Sequence, residues 1–352
     1  NAALRRAALR HDSSSALVNA RGRSRRVFPR QLSAFGDPTS AKLRIRSIMD
    51  GLLIIDKPAG ITSHDVVSRV RRILKTRRVG HTGTLDPFAT GVMVVLVGKA
   101  TRLAQFLDKD EKEYLATVRF GFETDTADGT GVRNAECGMR SEELTKLVQS
   151  TDWDNVLEKF RGEIEQMPPM YSAKKVDGKK LYEHARRGET IERAKVAVNI
   201  SNLEVIDFAL RTPHSALDTL RIRVVCSAGT YIRTLAEDIG RSIGVGAHLS
   251  ELRRTRAGRF DLSQSVTLDE LAEMDERAAR LRPLDDAVSH LAVMELSEER
   301  VARTRDGLAT QVAGLDLAEG QAVRMVAGTS ELIAIGTYDA TENAVRPKVV
   351  LV

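Results

Sequence analysis

The segment GHTGTLDPFATG, Gly80 to Gly91, holds the most unusual grouping of residues in the chain. Its glycines allow close backbone approach or positive φ. His81 and Asp86 are its titratable groups, and Pro87 pushes Asp86 toward an extended backbone. Taken alone, the loop admits two readings. Asp86 caps a turn, or a helix with Pro87 at its first position, and His81 is an ordinary turn residue; or the two titratable groups are there for chemistry. Three cationic patches accompany the loop: Arg69 to Arg78, an insertion carrying Lys174, Lys175, Lys179, Lys180, Arg186 and Arg187, and Arg253, Arg254, Arg256 and Arg259. Such patches either contact phosphates, which makes binding salt-sensitive, or form a solvated charged face.

Several chemistries are excluded. There is no phosphate-binding P-loop, no dinucleotide fingerprint and no metal-ligand spacing. The two cysteines, Cys137 and Cys226, are far apart and form no CxxC pair, which leaves neither a disulfide framework nor a zinc cluster. A reducing, cytoplasmic setting is the expectation. The longest apolar runs, GLLII from Gly51 and GVMVVLVG from Gly91, are too short to span a bilayer as a helix and read as buried strands.

With 352 residues, 42% of them hydrophobic, the chain has enough apolar content for two or three domains with a sizeable core. It is basic, with a formal net charge of +6. That basicity is local. Residues 1–48 hold 11 basic residues and only Asp12 and Asp37, leaving Met49 to Val352 with 43 basic against 46 acidic residues, a net of −3. The first 48 residues are rich in Arg, Ser and Ala and lack a sustained apolar period, so a disordered basic extension is expected. A transit peptide, an RNA-binding arm and upstream sequence joined to a protein starting at Met49 all fit. The last is favoured because the first strong strand follows at once.

The elements that must position the candidate residues can be read in outline. A strand over Leu52 to Ile55 leads through the turn DKPAG to a helix capped by Thr62 or Ser63, whose stripe is Val66, Val67, Val70, Ile73 and Leu74. Strands are expected at Val92 to Val97, Tyr114 to Phe120 and Leu220 to Ala228. A helix from about Ser141 follows the acidic turn ETDTADGTG. Residues 166–193, with Pro-Pro, Gly, Tyr and many cations, look like an exposed arm. Another helix starts near Thr230 with Ile232, Leu235, Ala236, Ile239 and Ile243 inward and Arg233 off the stripe, and LRRTRAGR reads as a basic patch. Thr267 and Glu270 make a capping box. From about Pro283 a short helix near Ser297 and three short strands suggest a small β-rich unit.

GHTGTLDPFATGVMVV resembles the catalytic motif of the TruB family of tRNA pseudouridine synthases. DKPAGITSHDVV, KEYLATVRFGFETDTADGTG, QMPPMYSAKKVDGKKLYEHARRG, CSAGTYIRTLAEDIG and GAHLSELRRTRAG are similar to that family too, in its order, densely over Met49 to Phe260 and weakly beyond. The resemblance implies an α/β (α+β) catalytic domain at 49–282 on a mixed, largely antiparallel sheet, with a thumb-like insertion at 166–193 and a PUA-like RNA-binding module at 283–352. It implies isomerisation of uridine 55 in the tRNA T loop without a cofactor. Asp86 would be the nucleophile, Arg233 its ion-pair partner and Tyr114 the ring that stacks on uracil and handles a proton. His81 would remodel the RNA, since a base inside a stack must be extruded before it can react. Leu252 would close the pocket, Lys57 and Pro58 would be structural, and Lys174, Lys179, Lys180, Arg253 and Arg254 would contact RNA. The tRNA T arm is the implied partner, bound by a monomer with no obligatory protein partner and no membrane. Two rivals are a dyskerin-type subunit of a guide-RNA particle, against which the insertion speaks, and a non-catalytic tRNA-folding chaperone, against which Asp86, Tyr114 and Arg233 speak.

Overall fold

Two strands with near-continuous apolar sequence, Gly51–Lys57 and Thr90–Val97, pair antiparallel with Gly51 opposite Val97 and Lys57 opposite Gly91. Unbroken apolar runs mean that both faces of this ribbon are covered. Leu53, Ile55, Met93 and Val95 pack against the helix Ser63–Ile73. Leu52, Ile54, Val92, Val94 and Leu96 face the other way. The helix starts at Thr62, whose hydroxyl accepts from the Asp65 N–H while the Asp65 carboxylate accepts from the Thr62 N–H, a capping box that contributes about 1 kcal/mol. Its expected stripe is buried at Val66, Val67, Val70 and Leu74, and each such side chain contributes about 1.5–3 kcal/mol relative to exposure.

The computed structural model describes residues 49–172, 174–176, 178–185, 187–189, 191–207, 218–328 and 331–352. The expected leader at 1–48 and Arg186 lie outside the described residues, as do the side chains of Lys175 and Lys180. The large sheet runs in the order Gly51–Lys57, Thr90–Val97, Ala247–Ala257, Lys112–Phe120, Thr219–Cys226, Val196–Asp207, Gly162–Gln166. Val79–Thr82 and Phe260–Asp261 are attached beside it. Its strand pairs are antiparallel except where Arg253 and Arg254 pair parallel with Thr90 and Gly91, so the sheet is mixed and largely antiparallel, as the sequence implies.

The segment LRRTRAGR is not a surface patch alone. Ala247–Ala257 is an interior strand of the sheet, paired on one side with Lys112–Phe120 and on the other with Thr90–Val97. Its arginines hide the strand from any apolar alternation. The helix read from Thr230 starts at Ile232, with Tyr231 as its N-cap residue, and the polar strands Gly162–Gln166 and Val196–Asp207 carry too little apolar pattern to be foreseen. Within the insertion, Lys175–Val176 pairs with Lys179–Lys180 ahead of a short helix, Leu181–Ala185, whose Leu181 is buried.

Beyond Pro283 the three expected strands occur as Ala322–Ala327, Glu331–Asp339 and Ala344–Val350, joined by Ala292–Leu296 and Thr310–Gln311 into a five-stranded sheet. Ser297 caps the helix Glu298–Arg305 through its hydroxyl. This sheet has an apolar cluster of its own around Met294, Val323, Met325 and Ile333. A second cluster unites Val326, Leu332, Ile335 and Val349 with Leu52, Ile54, Val92 and Leu96, so the two sheets share buried surface.

Candidate active site

The loop between Thr82 and Thr90 crosses the end of the interior strands and is held at three places. On its entry side the guanidinium of Arg254 donates from Nη2 to the Gly83 carbonyl at 2.9 Å. In the middle, Ser63 Oγ accepts from the Leu85 N–H at 2.9 Å and donates to the Leu85 carbonyl at 3.0 Å. On the exit side Lys57 Nζ donates to the carbonyls of Pro58, Pro87 and Ala89 at 2.9, 3.1 and 2.7 Å. Lys57 is fully buried, and burial is the first cause that lowers its pKa, to about 8. Gly91, at φ 102°, sits where a Cβ would fall 2.1 Å from the Arg254 carbonyl oxygen, so only glycine permits this strand contact.

Asp86 projects from the clamped loop toward the first turn of the helix Ile232–Ser242. Arg233 meets it as a fork, Nε to Oδ2 at 2.9 Å and Nη2 to Oδ1 at 3.3 Å. Such a pair fixes geometry as well as charge. Two of the three remaining guanidinium protons are taken by the Thr126 carbonyl at 2.8 Å and the Tyr171 carbonyl at 2.7 Å, and Asp128 Oδ2 stands 3.8 Å from Nη1. Arg233 is 5% exposed, and its place off the apolar stripe of the helix is explained by the carboxylate it faces. Burial is the first cause that raises the Asp86 pKa; the Arg233 charge opposes it, Asp128 adds to it, and Lys57 also pulls it down. The carboxylate is thus poised between a dry environment, which favours the neutral acid, and two cations, which favour the ion.

A cavity of about 250 Å³ opens over this pair. Asp86, Tyr114, Leu252, Arg233, Arg254 and Lys112 all line it. Tyr114 stands on the strand Lys112–Phe120 directly opposite Arg254, largely buried, and that burial is the main cause raising its phenol pKa. Lys112 donates to the carbonyls of Asp108 and Asp110 at 2.9 and 2.5 Å. A planar base entering this space would meet an aromatic ring, an apolar wall from Leu252 and a carboxylate oxygen.

Of the residues singled out from sequence, Asp86, Arg233, Tyr114 and Leu252 come together. Arg254, expected to contact RNA, joins them as a buried residue: it is 1% exposed and its guanidinium donates to the backbone carbonyls of Val92 and Gly83. Arg253 is committed to Asp56 in a two-bond fork at 2.7 and 3.1 Å. His81 is half-buried on the strand Val79–Thr82, apart from the cavity lining, with its pKa lowered chiefly by burial. Lys174 is half-buried and Lys179 exposed in the insertion; the Lys180 side chain lies outside the described residues. Sequence reasoning missed Ser63 as a loop clamp, Asp128 beside Arg233 and Lys112 in the wall. Asp128 stood in what read only as an acidic turn.

The aspartate forked by an arginine lies beside a tyrosine-walled cavity on a mixed sheet, and solved structures share this fold. A chain in the structure of an H/ACA ribonucleoprotein bound to a substrate RNA containing 2′-deoxyuridine superposes with a TM-score of 0.63 at 27% identity, over 90% of this chain and 89% of that one. A chain of a Cbf5–Nop10–Gar1 complex does so with a TM-score of 0.63 at 28% identity, over 91% and 92%. Residues 71–232 match the family description "TruB family pseudouridylate synthase (N terminal domain)" and residues 233–289 match "tRNA pseudouridylate synthase B C-terminal domain". The tRNA pseudouridine synthase B of Heliobacterium modesticaldum is 42% identical over 82% of this chain and 90% of its own length. That of Aromatoleum aromaticum is 47% identical over 71% and 78%. The chain belongs to the TruB family of pseudouridylate synthases.

Proposed function

We propose that the protein converts uridine 55 of the tRNA T loop to pseudouridine, with Asp86 as nucleophile. The observation that carries this reading is the Asp86–Arg233 fork at the floor of a cavity walled by Tyr114 and Leu252. The reaction breaks the bond from uracil N1 to ribose C1′, turns the base and joins its C5 to C1′; the C5 proton is lost and N1 gains one. A carboxylate oxygen added either to C1′ or to the base holds the two fragments together meanwhile. The Arg233 charge opposes the rise in pKa that burial imposes on that carboxyl and so favours its ionised form. Tyr114, a neutral phenol in its buried setting, stacks on the uracil and relays the proton leaving C5.

The target must leave its stack to enter so enclosed a space. His81 fills the vacated place in the RNA, and Leu252 packs against the base. Outside the cavity, affinity comes from placed cations on a body of net charge −3: Lys174, Lys179 and Lys180 of the thumb-like insertion 166–193, with the face of Arg69, Arg72 and Lys75. We assign residues 49–282 to catalysis and 283–352 to an RNA-binding module that shares an apolar cluster with the large sheet. The enzyme works as a cytoplasmic monomer on free tRNA. The kinship to tRNA pseudouridine synthase B proteins of high coverage supports this over a guide-RNA subunit, whose representatives match at lower identity. Among the described residues no helix is long and apolar enough to cross a membrane.

The purified protein alone, given an unmodified T-arm stem-loop, is expected to form pseudouridine at position 55. Absence of product until a guide RNA or protein partner is added would replace this reading with the dyskerin-type one.

A further inference from the structure

Among the described residues Arg254 is the largest fully buried side chain, at 1% exposure. It pairs with no carboxylate among the described residues. Its guanidinium instead donates from Nε to the Val92 carbonyl at 2.6 Å and from Nη2 to the Gly83 carbonyl at 2.9 Å. A buried cation without a counter-ion is costly, and the partial charges of two carbonyls offset only part of that cost. An arrangement that expensive is retained where geometry demands it.

The two carbonyls lie on opposite sides of Asp86 in the chain. Val92 belongs to the strand that follows the loop and Gly83 to the stretch that enters it, so one rigid fork ties the loop's entrance to the strand beyond its exit. Gly83 adopts φ 64°, and a Cβ there would stand 3.2 Å from Arg254 Nη1, so the loop lies flat against the guanidinium. The Arg254 backbone pairs with Gly91 on one side and with Tyr114 on the other. One residue therefore touches the aspartate loop, its outgoing strand and the strand of the stacking tyrosine. We propose that Arg254 is a positioning residue for the isomerisation: its buried fork sets the distance between the Asp86 carboxylate and the Tyr114 ring, and it does not bind RNA phosphate. Burial is the main cause of the pKa shifts of Lys57, His81, Lys112 and Tyr114; the nearby Arg254 charge adds to the lowering at the first three and opposes the rise at Tyr114.

This inference rests on Asp86 and Tyr114 acting as proposed above, and the experiment separates the two. Arg254→Lys keeps a cation that serves equally well for a phosphate contact but cannot span two carbonyls as a planar fork. Arg254→Met removes the charge. On an unmodified T-arm stem-loop, kcat is expected to fall about tenfold or more for Arg254→Lys and about a hundredfold for Arg254→Met, the scale of an ångström's misplacement of reacting groups. RNA affinity, measured in an Asp86→Asn background to prevent turnover, and its salt slope stay within about twofold of the parent. Thermal melting verifies that each variant is folded; should Arg254→Met fail to fold, Arg254→Lys decides alone. Wild-type kcat in Arg254→Lys overturns the proposal, as does a salt slope reduced by about one in Arg254→Met with kcat at saturation unchanged. Turnover by Asp86→Asn would instead overturn the nucleophile assignment.

Discussion

Arg233 and Arg254 are both buried arginines lining the same cavity, and they do opposite things. Arg233 begins a helix and forks onto a carboxylate, where its charge opposes the rise in pKa that burial causes. Arg254 sits mid-strand, forks onto two backbone carbonyls and ties the loop's entrance to the strand beyond its exit. The first bears on electrostatics, the second on distance. Active sites of this kind need both, because a nucleophile of correct protonation state still fails when displaced by an ångström.

Removing the electrostatic half is expected to cost most. For Arg233→Gln the account predicts a loss of about 10²–10³ in kcat, the usual scale for deleting a charge-stabilising donor. It also predicts a change in the pH profile, for which the sign is clear. With Asp86 reacting as the carboxylate, as proposed above, activity fades as pH falls through its pKa. Burial raises that pKa and Arg233 opposes the rise; deleting the cation lifts it further and moves the acidic limb to higher pH. A pH–rate profile of Arg233→Gln whose acidic limb stays put would show that the two arginines do not divide their tasks as described.

Loop geometry can be tested away from both arginines. Ser63→Ala breaks the paired hydrogen bonds to Leu85 and leaves its buried N–H and carbonyl unmatched, which costs about 1–3 kcal/mol in stability. Denaturant midpoints and single-turnover rates should both drop, the rate by about tenfold, with stem-loop affinity unchanged. A rate that holds while stability falls would confine the clamp to folding. The smallest effect belongs to the insertion: Lys179→Gln is expected to lower the salt slope of RNA binding by about one and leave saturated turnover intact.

The same contrast explains what could be read from sequence. Asp86 stood out because a loop with glycines, a histidine and an Asp-Pro pair is unlike any regular element. Strands of continuous apolar residues, such as Thr90–Val97, and helices with an apolar stripe, such as Ser63–Ile73, announce themselves by period. Arg254 was illegible for a physical reason. In Ala247–Ala257 three arginines, a serine, a glutamate and a threonine interrupt the apolar residues, so an interior strand carries the composition of an exposed one, and only the three-dimensional pairing reveals that the Arg254 cation is enclosed. Ser63 was legible as a helix-start residue, but its partner Leu85 is a tertiary neighbour that no local pattern names. The acidic turn hid Asp128 in the same way: its carboxylate accepts from Thr126 and Thr130 locally, and only the fold sets it beside Arg233.

The central claim is that one carboxylate does the chemistry. Asp86→Asn, assayed on an unmodified tRNA transcript, is predicted to bind within a few-fold of the wild-type protein and to form no detectable pseudouridine, a loss of at least about 10⁵-fold. Turnover near the wild-type rate would contradict the account.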